Sequence, residues 1–386
     1  MRLASVASLA LLALPAFIAS SASVGACQPY RRLADPPAPP KVPFLPPASV
    51  AGVTLSDDDI CARLVNGAVL CRRDWRPPEA KTHPASFVPV FEGGDVQQVA
   101  LGGSHGCVRR ANGVVQCWGD NEHGEVSGHE LIVPWPRVVP ISGAVTQVAL
   151  GEERSCALLI DGHVVCWGTY LGVRRDPAQL PVLANVVELA MSGPTFCLRM
   201  KDGWVRCGRG DSSLLAVEGL AAPTQIVAGH DHACAKDVTG AVACWSLRKD
   251  DLKGTSLKAR AIPIDQVVQL ASGEAHVCAR RLDRSVLCWG ENEFGELGDG
   301  TRVGRATPAA VARLTDAVDL AAGGRRTCAK RANGALVCWG RNLLDDAMFH
   351  ALTGLQSPPG PPGDDDSLVP EPLRVPGALQ TPAAEG

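Results

Sequence analysis

The sequence feature that most constrains the fold is a cysteine pair of constant spacing, Cys-x9-Cys, which recurs seven times. Of the 15 cysteines in the 386-residue chain, all but Cys27 belong to such a pair. The pairs are Cys61 with Cys71, Cys107 with Cys117, Cys156 with Cys166, Cys197 with Cys207, Cys234 with Cys244, Cys278 with Cys288, and Cys328 with Cys338. A motif repeated at this scale is typical of architectures that use one structural module per repeat.

The residues between paired cysteines predict a β-hairpin. In the third repeat two apolar runs flank Asp161-Gly162, and an Asx-Gly step favours a tight turn because glycine accepts positive φ. If Cys156 lies opposite Cys166, three residues remain for the loop. Directly opposed residues of antiparallel strands are close enough for a disulfide. We interpret each pair as a disulfide within one hairpin, since zinc ligands usually lie about two to four residues apart.

Disulfides imply an oxidising compartment, and the N-terminal sequence favours export. Residues 1–26 are predicted to be a signal peptide, because an apolar run from Leu3 to Ile18, too short for a membrane span, follows a basic residue and precedes small residues. The unpaired Cys27 follows Val24-Gly25-Ala26, which resembles a bacterial lipobox. The resemblance implies a lipid on Cys27 that anchors the chain in a membrane, and Gln28 implies the outer membrane. Ordinary secretion is the alternative.

The remaining chain divides by composition into three parts. Residues 27–49 are rich in proline and predict a semi-rigid tether in polyproline II conformation. Residues 50–345 contain the repeats, and residues 346–386 form a tail rich in Pro, Gly and Asp. A strand that closes the ring is expected either at Val42–Leu45 or near residues 372–375, where the latter would complete the last repeat.

Each repeat carries signals for four short strands. A strand rich in small residues precedes the first cysteine, the hairpin supplies two more, and a Pro-bounded strand follows. Trp often follows the second cysteine, so Cys and Trp should face opposite sides of the sheet. Stacked blades would cover both sides. The sequence therefore predicts an all-β fold, a seven-bladed β-propeller of four-stranded blades with one intra-blade disulfide per blade.

The sixth repeat, Gln269-Leu-Ala-Ser-Gly-Glu-Ala-His-Val-Cys followed by Cys288-Trp-Gly-Glu-Asn-Glu-Phe-Gly-Glu-Leu-Gly, resembles the regulator of chromosome condensation repeat. It is most similar to bacterial secreted versions with paired cysteines. The first repeat lacks Trp-Gly, and the fourth has Cys207-Gly-Arg-Gly. The founder of the family exchanges nucleotide on a nuclear GTPase and binds chromatin, which an extracytoplasmic lipoprotein would not meet. A related secreted propeller inhibits β-lactamases by protein contact, which favours a protein-binding role.

A polar residue stands two positions before the first cysteine of every repeat, and we call this the slot position. The slot residues are Asp59, His105, Arg154, Thr195, His232, His276 and Arg326. They are predicted to lie in the loop between the first and second strands, near the axis, where propellers often bind ligands. The alternative is that they form hydrogen bonds within or between blades. The three histidines belong to repeats two, five and six, so no metal site is expected.

Other motifs favour structure over chemistry. Gly102-Gly-Ser104-His-Gly106 has the spelling of a nucleophile elbow, but it belongs to a loop that recurs in all repeats. The loops at residues 119–124 and 290–300 contain Asp, Asn and Gly without the spacing of a calcium loop, so we interpret them as tight turns. The net charge is −3 and no basic stripe exists, so nucleic acid is not an expected partner.

These observations predict a cell-envelope lipoprotein without catalytic activity or cofactor, whose propeller binds an unidentified protein or a cell-wall polymer. The alternative is an enzyme, a lyase or hydrolase acting on an envelope polymer in a propeller mouth. In that case His105, His232 and Arg154 would carry the chemistry.

Overall fold

The computed structural model describes residues 50–57, 59–72, 88–91, 94–170, 173–179, 183–341 and 367–373. All of them belong to one compact unit, Val42–Gly386. The predicted signal peptide, Cys27, the tether and Val42–Leu45 lie outside the described residues. Within the described ranges, no helix has the length and apolar character needed to cross a membrane.

The described residues form 29 strands in seven sheets, one sheet for each cysteine pair, which confirms the predicted seven-bladed propeller. Blades one and two contain β1 (Val50–Leu55), β2 (Ile60–Leu64), β3 (Val69–Arg72), β4 (Val88–Phe91), β5 (Val96–Leu101), β6 (His105–Arg110), β7 (Val115–Asp120) and β8 (Ile132–Val138). Blades three and four contain β9 (Val145–Leu150), β10 (Arg154–Leu159), β11 (Val164–Tyr170), β12 (Val173–Gln179), β13 (Val186–Ser192), β14 (Thr195–Met200), β15 (Val205–Arg209) and β16 (Leu215–Glu218).

The remaining strands follow the same pattern with one irregularity. Blade five contains β17 (Pro223–Ala228), β18 (His232–Asp237), β19 (Val242–Ser246), a 3-10 helix (Asp251–Lys253), β20 (Ser256–Lys258) and β21 (Arg260–Ile262). Blades six and seven contain β22 (Val267–Ser272), β23 (His276–Arg281), β24 (Val286–Gly290), β25 (Arg305–Ala310), β26 (Ala317–Gly323), β27 (Arg326–Arg331), β28 (Leu336–Gly340) and β29 (Ser367–Leu373). Strand β20 leaves its own blade and pairs in parallel with β16 of blade four.

The two cysteines of every predicted pair lie directly opposite each other on the second and third strands of one blade, which confirms the seven intra-blade disulfides. In all seven, the Cα atoms are 4.0 to 4.2 Å apart. The bonded pairs are Cys61 and Cys71, Cys107 and Cys117, Cys156 and Cys166, Cys197 and Cys207, Cys234 and Cys244, Cys278 and Cys288, and Cys328 and Cys338.

The disulfides of the first and last blades are as regular as the others. Cys71 stands in β3 opposite Cys61 and is fully buried. Cys338 stands in β28 opposite Cys328 and is partly exposed. The pairing therefore holds even in blade one, whose sequence departs most from the repeat, because the hairpin itself brings the two cysteines together.

The hairpin turn has the predicted form. The Leu159 amide donates to the carbonyl of His163 at 2.9 Å, which leaves a three-residue loop between β10 and β11. Gly162 in that loop has a φ of 86°. This is the left-handed conformation that the turn requires and that glycine adopts without a steric penalty.

Each disulfide packs against an aromatic or aliphatic side chain of the next blade. The Cys107–Cys117 disulfide lies in one buried cluster with Trp167, and the Cys278–Cys288 disulfide lies in another with Trp339. Blade four has no Trp at this position, and Phe196 takes its place against the disulfide of blade three. Cys and Trp therefore point to opposite faces of a blade, and each blade interface joins a disulfide to its neighbour's large side chain.

The ring closes by packing between blades. Strand β29 pairs antiparallel with β28 as the outer strand of blade seven, so the C-terminal segment completes that blade rather than another. The four described strands of blade one all lie within residues 50–91. The last and first blades are joined by Lys330 Nζ, which donates to the Val50 carbonyl at 2.7 Å, and by Arg326, which donates to the Asp57 carbonyl at 2.9 Å.

Candidate functional site

Six of the seven slot residues begin the second strand of their blades, and Asp59 lies in the preceding loop as predicted. His105, Arg154, Thr195, His232, His276 and Arg326 are the first residues of β6, β10, β14, β18, β23 and β27, and Asp59 immediately precedes β2. The predicted loop placement was wrong by one residue for these six. The reason is that the connecting turn is very short: the Gly102 amide already donates to the His105 carbonyl at 2.9 Å.

The slot histidines are packed against glycine. A Cβ atom added to Gly102 would lie 2.4 Å from His105 Cε1, and one added to Gly273 would lie 2.2 Å from His276 Cε1. The pattern Gly-x-x-His therefore needs glycine, because the imidazole occupies the space that any side chain would take. Both rings are buried, and burial lowers the pKa of His105 to about 4 and that of His276 to about 3. Both imidazoles are thus neutral at physiological pH.

The neutral imidazole of His105 is part of a hydrogen-bonded chain between blades two and three. Its Nε2 lies 2.9 Å from Ser155 Oγ, and the Ser155 hydroxyl donates to the Glu125 carbonyl at 2.9 Å. Ser155 has one proton, so the imidazole Nε2–H is the donor to it. The Trp167 indole N–H donates to the same Glu125 carbonyl at 2.5 Å.

Blades six and seven repeat this arrangement. His276 Nε2 lies 2.8 Å from Thr327 Oγ1, and both Thr327 Oγ1 and Trp339 Nε1 donate to the carbonyl of Glu296. The two glutamates belong to loops after the third strand, residues 121–128 and 292–299, which we call clasp loops. They overlap the segments 119–124 and 290–300 interpreted above as tight turns.

The clasp loops hold their shape through their own side chains. The Asn121 carboxamide accepts from the Val126 amide at 2.8 Å and donates to the Glu130 carbonyl at 2.6 Å. Asn292 accepts from the Leu297 amide in the same way. The side chains of Val126 and Leu297 are fully buried under the clasp. The side-chain oxygens of both asparagines thus accept from backbone amides of their own loop.

The other slot residues also contact the next blade. The Thr195 hydroxyl donates to the His230 carbonyl at 2.7 Å, and His232 Nε2 lies 3.0 Å from Ser272 Oγ. Arg154 donates to the Gly210 carbonyl and pairs with Asp211 at 3.0 Å. The slot residues named here therefore do not converge on one point. They join successive blades, as the structural alternative predicted, and their role in ligand binding stays a prediction.

The residues that do converge stand two positions earlier, at the fourth residue before each first cysteine. We call this the collar position. The collar residues are Asp57, Gly103, Glu152, Gly193, His230, Glu274 and Gly324. All seven line a cavity of about 420 Å3 at the axial mouth, on the end of the propeller where the first and second strands join. Every blade therefore contributes its collar residue to this mouth.

The axial mouth is acidic. Among the described residues that line it, six carry carboxyl groups and none is Lys or Arg. The six are Asp57, Asp120, Glu125, Glu152, Glu153 and Glu274. Two features weaken the negative charge of the mouth in part. Arg325 pairs with Glu274 at 3.0 Å, and burial raises the pKa of Glu125. A cleft lined by one sign of charge concentrates ions of the opposite sign, so the mouth favours a cation.

Backbone bonds hold the collar in place. The Glu152 amide donates to the Gly193 carbonyl at 3.1 Å, and the Glu274 amide donates to the Gly324 carbonyl at 2.7 Å. Arg209 Nη2 lies 2.7 Å from His230 Nε2. Since guanidinium only donates, this nitrogen of His230 is the acceptor. The mouth is thus a set of side chains presented by a fixed ring of short turns.

The repeat pattern pointed to the slot position as the candidate site, and the collar position, two residues earlier, was missed. The slot is polar in every repeat, which drew attention to it, whereas three of the seven collar residues are glycine. The sequence feature that could have identified the collar is its composition, because the seven collar positions hold only Asp, Glu, His or Gly. Ser104 lies in the lining of the mouth but is followed by strand β6, so it does not form a nucleophile elbow. In the described ranges, no three His, Cys, Asp or Glu side chains are arranged to hold a metal ion.

Four blades match a known family model. Residues 96–125, 145–169, 267–296 and 317–343 match the model of the regulator of chromosome condensation (RCC1) repeat, and a second model of that repeat matches residues 283–329. These segments lie in blades two, three, six and seven, and two of those blades carry the clasp loops. No curated protein sequence matches the chain.

Solved propellers share the fold. Prp20p from Saccharomyces cerevisiae, described for its binding to Gsp1p and histones, has 19% identity over 85% of this chain and 87% of its own, with a TM-score of 0.62. Yeast RCC1 (Prp20) bound to Kap60 has 18% identity over 90% and 91%, also at 0.62. Human WBSCR16 has 19% identity over 72% and 85%, at 0.60. At these identities the likeness establishes the fold alone.

Proposed function

Because the chain carries regulator of chromosome condensation repeats on a seven-bladed propeller, we propose that it is a non-enzymatic scaffold that binds a partner protein at its axial mouth. Proteins of this fold are described as binding Gsp1p, histones and Kap60, which supports a protein ligand in general and does not identify this one. The partner proposed here is a protein that presents Lys or Arg side chains to the acidic mouth.

The observation that carries this proposal is the charge of the axial mouth. Six carboxyl groups surround about 420 Å3, with no basic side chain among the described lining residues. Glu152 and Glu153 are exposed, so a partner can reach them. Complementary charge raises the association rate and gives specificity, and its effect falls as salt screens it.

The rigidity of the surrounding ring supports binding rather than a moving active site. Every blade has its own disulfide, and slot residues bond successive blades together. A preorganised surface loses little conformational entropy when it binds, which favours affinity without induced fit. Glycine at three collar positions leaves room for an incoming side chain.

The proposed location is outside the cytoplasm. Seven disulfides are compatible with an oxidising compartment and unusual for a cytosolic protein. The lipobox-like sequence before Cys27 supports an N-terminal lipid, with the proline-rich segment 28–49 as spacer to the propeller. Intact mass of the mature protein without reductant tests both features, since it reports a lipid on Cys27 and the oxidation of fourteen thiols together.

The binding test compares matched charge variants. Envelope extracts are passed over immobilised propeller, and bound protein is identified and titrated at low and high salt. Glu152→Gln with Glu153→Gln should weaken binding about tenfold or more and reduce its salt dependence. The control is Asp202→Asn, an exposed residue of a hairpin turn at the opposite end of the blades, which should change nothing.

Two results would contradict the proposal. Binding that is independent of salt and equal in both variants would show that the mouth is not the contact surface. The enzyme alternative would be favoured if the protein turned over an envelope polymer and a His232→Gln variant of unchanged stability did not.

A further inference from the structure

One blade interface lacks the clasp that seals two others. Between blades two and three and between blades six and seven, a clasp loop buries Val126 or Leu297, and its glutamate carbonyl accepts a Trp indole N–H. In blade five the corresponding segment, residues 247–255, turns toward blade four instead, where β20 pairs with β16. Blade six therefore has a tryptophan at the clasped position and no clasp loop to cover it.

A groove of about 880 Å3 lies where this clasp would be. Apolar groups from both blades line it, among them Trp289, Val277, Ile262 and the Cys234–Cys244 disulfide. Cys244 is partly exposed there, whereas both cysteines of the clasped blades two and six are fully buried. The interface between blades five and six is thus open to solvent where the clasped interfaces are covered by a loop.

Trp289 carries an indole donor without an acceptor. Its side chain is only 6% exposed, and no described residue accepts a hydrogen bond from its indole nitrogen. Trp289 lies opposite Val277 in the same register in which Trp167 lies opposite Ser155. The indole therefore faces blade five as Trp167 faces the clasp of blade two. At the two clasped interfaces the equivalent indole N–H donates to a glutamate carbonyl, so the groove favours an occupant that presents a carbonyl to Trp289.

The rim of the groove carries charges of both signs, and one of its cations is available to an occupant. Arg260 is exposed and forms no ion pair with a described residue, whereas the neighbouring Arg248 is paired with Asp231 at 2.9 Å. Glu125 and Glu296 accept from amides of their own loops, but both clasp loops also carry an exposed glutamate directly after the asparagine, Glu122 and Glu293. An occupant with the same composition would match the guanidinium of Arg260.

We propose that the groove between blades five and six binds a loop of a partner protein with the chemistry of a clasp. That loop supplies an aliphatic side chain for the apolar walls, a peptide carbonyl for Trp289 Nε1 and a carboxylate for Arg260. The model for this occupant is the protein's own clasp loop, which fills two other blade interfaces in this way. This surface is separate from the axial mouth, and the proposal does not depend on binding there.

The test uses a peptide that copies residues 291–302 of this chain, Glu-Asn-Glu-Phe-Gly-Glu-Leu-Gly-Asp-Gly-Thr-Arg. It is titrated into the full propeller by calorimetry, with the indole N–H resonances followed by NMR. Trp289→Phe should weaken binding about tenfold, because it keeps the apolar ring and removes the donor. Arg260→Glu should also weaken binding. Trp204→Phe, at an exposed tryptophan of a hairpin, is the matched control and should not.

A control peptide carrying Leu297→Asp should not bind, because it cannot fill the apolar walls. Saturable binding with a shift of the Trp289 indole resonance supports the proposal. It is overturned if the peptide does not bind saturably, or if Trp289→Phe and Trp204→Phe bind equally well. It is also overturned if binding is abolished by Glu152→Gln, since the axial mouth would then be the site. If Trp289→Phe does not fold, the resonance shift and Arg260→Glu decide.

Discussion

The buried slot histidines make the stability of the propeller depend on pH in a way that can be calculated. In the folded protein burial lowers the pKa of His105 to about 4 and that of His276 to about 3, whereas histidine in an unfolded chain titrates near pH 6.5. Below pH 6.5 the unfolded chain therefore binds protons that the folded protein does not. Linkage then requires the free energy of unfolding to fall as the pH falls.

The size of the effect follows from these pKa values. At pH 5 an unfolded histidine is almost fully protonated while both buried rings are neutral, which costs about 2 kcal/mol for each histidine relative to pH 8. The two residues lie at different blade interfaces, so their contributions should add to about 4 kcal/mol. The double variant His105→Gln, His276→Gln should therefore lose about 4 kcal/mol less stability between pH 8 and pH 5 than the unchanged protein does.

The assay is guanidinium unfolding followed by circular dichroism at both pH values, without reductant. Leu198→Ala is the control, because Leu198 is fully buried and its truncation should cost about 2–5 kcal/mol without removing a titrating group. That variant should keep the full pH dependence. An equal loss of stability with pH in the double variant and the unchanged protein would refute the calculation.

Two further predictions concern the same histidine network, and a third concerns the disulfides. Gly273→Ala should destabilise the protein by about 3 kcal/mol in thermal or chemical unfolding, because its Cβ would lie 2.2 Å from His276 Cε1, while Gly52→Ala, with open space around the added atom, should have little effect. Thr327→Val should cost about 1–3 kcal/mol by leaving His276 Nε2 buried without its partner, and a cost equal to that of Thr146→Val, whose hydroxyl is only part-buried, would contradict this. Alkylation of protein purified without reductant should label none of the fourteen paired cysteines; ready labelling of the partly exposed Cys338 would remove the basis for an oxidised hairpin.

Local sequence was sufficient for the repeat, the hairpin and the number of blades. The spacing of Cys156 and Cys166 around Asp161-Gly162 defines a turn, a register and a covalent bond within one short segment, so each can be inferred without knowledge of the rest of the chain. The alternation of Cys and Trp likewise follows from the geometry of one strand. Seven copies of the pattern then imply a closed array, because each blade has two faces to bury.

The contents of the axial mouth and the groove were decided by tertiary structure. Glu152, Glu274 and Asp57 come together only because seven turns meet at one axis, and nothing local distinguishes them from solvated acids elsewhere. The turn also proved shorter than expected, which moved the slot residues from the mouth into the interfaces between blades. Trp289 resembles Trp167 and Trp339 in sequence, yet of these three only Trp167 and Trp339 have an acceptor. That difference arises because the segment after blade five's third strand, which lacks the Asn and Glu of the clasp loops, packs on blade four through the pairing of β20 with β16.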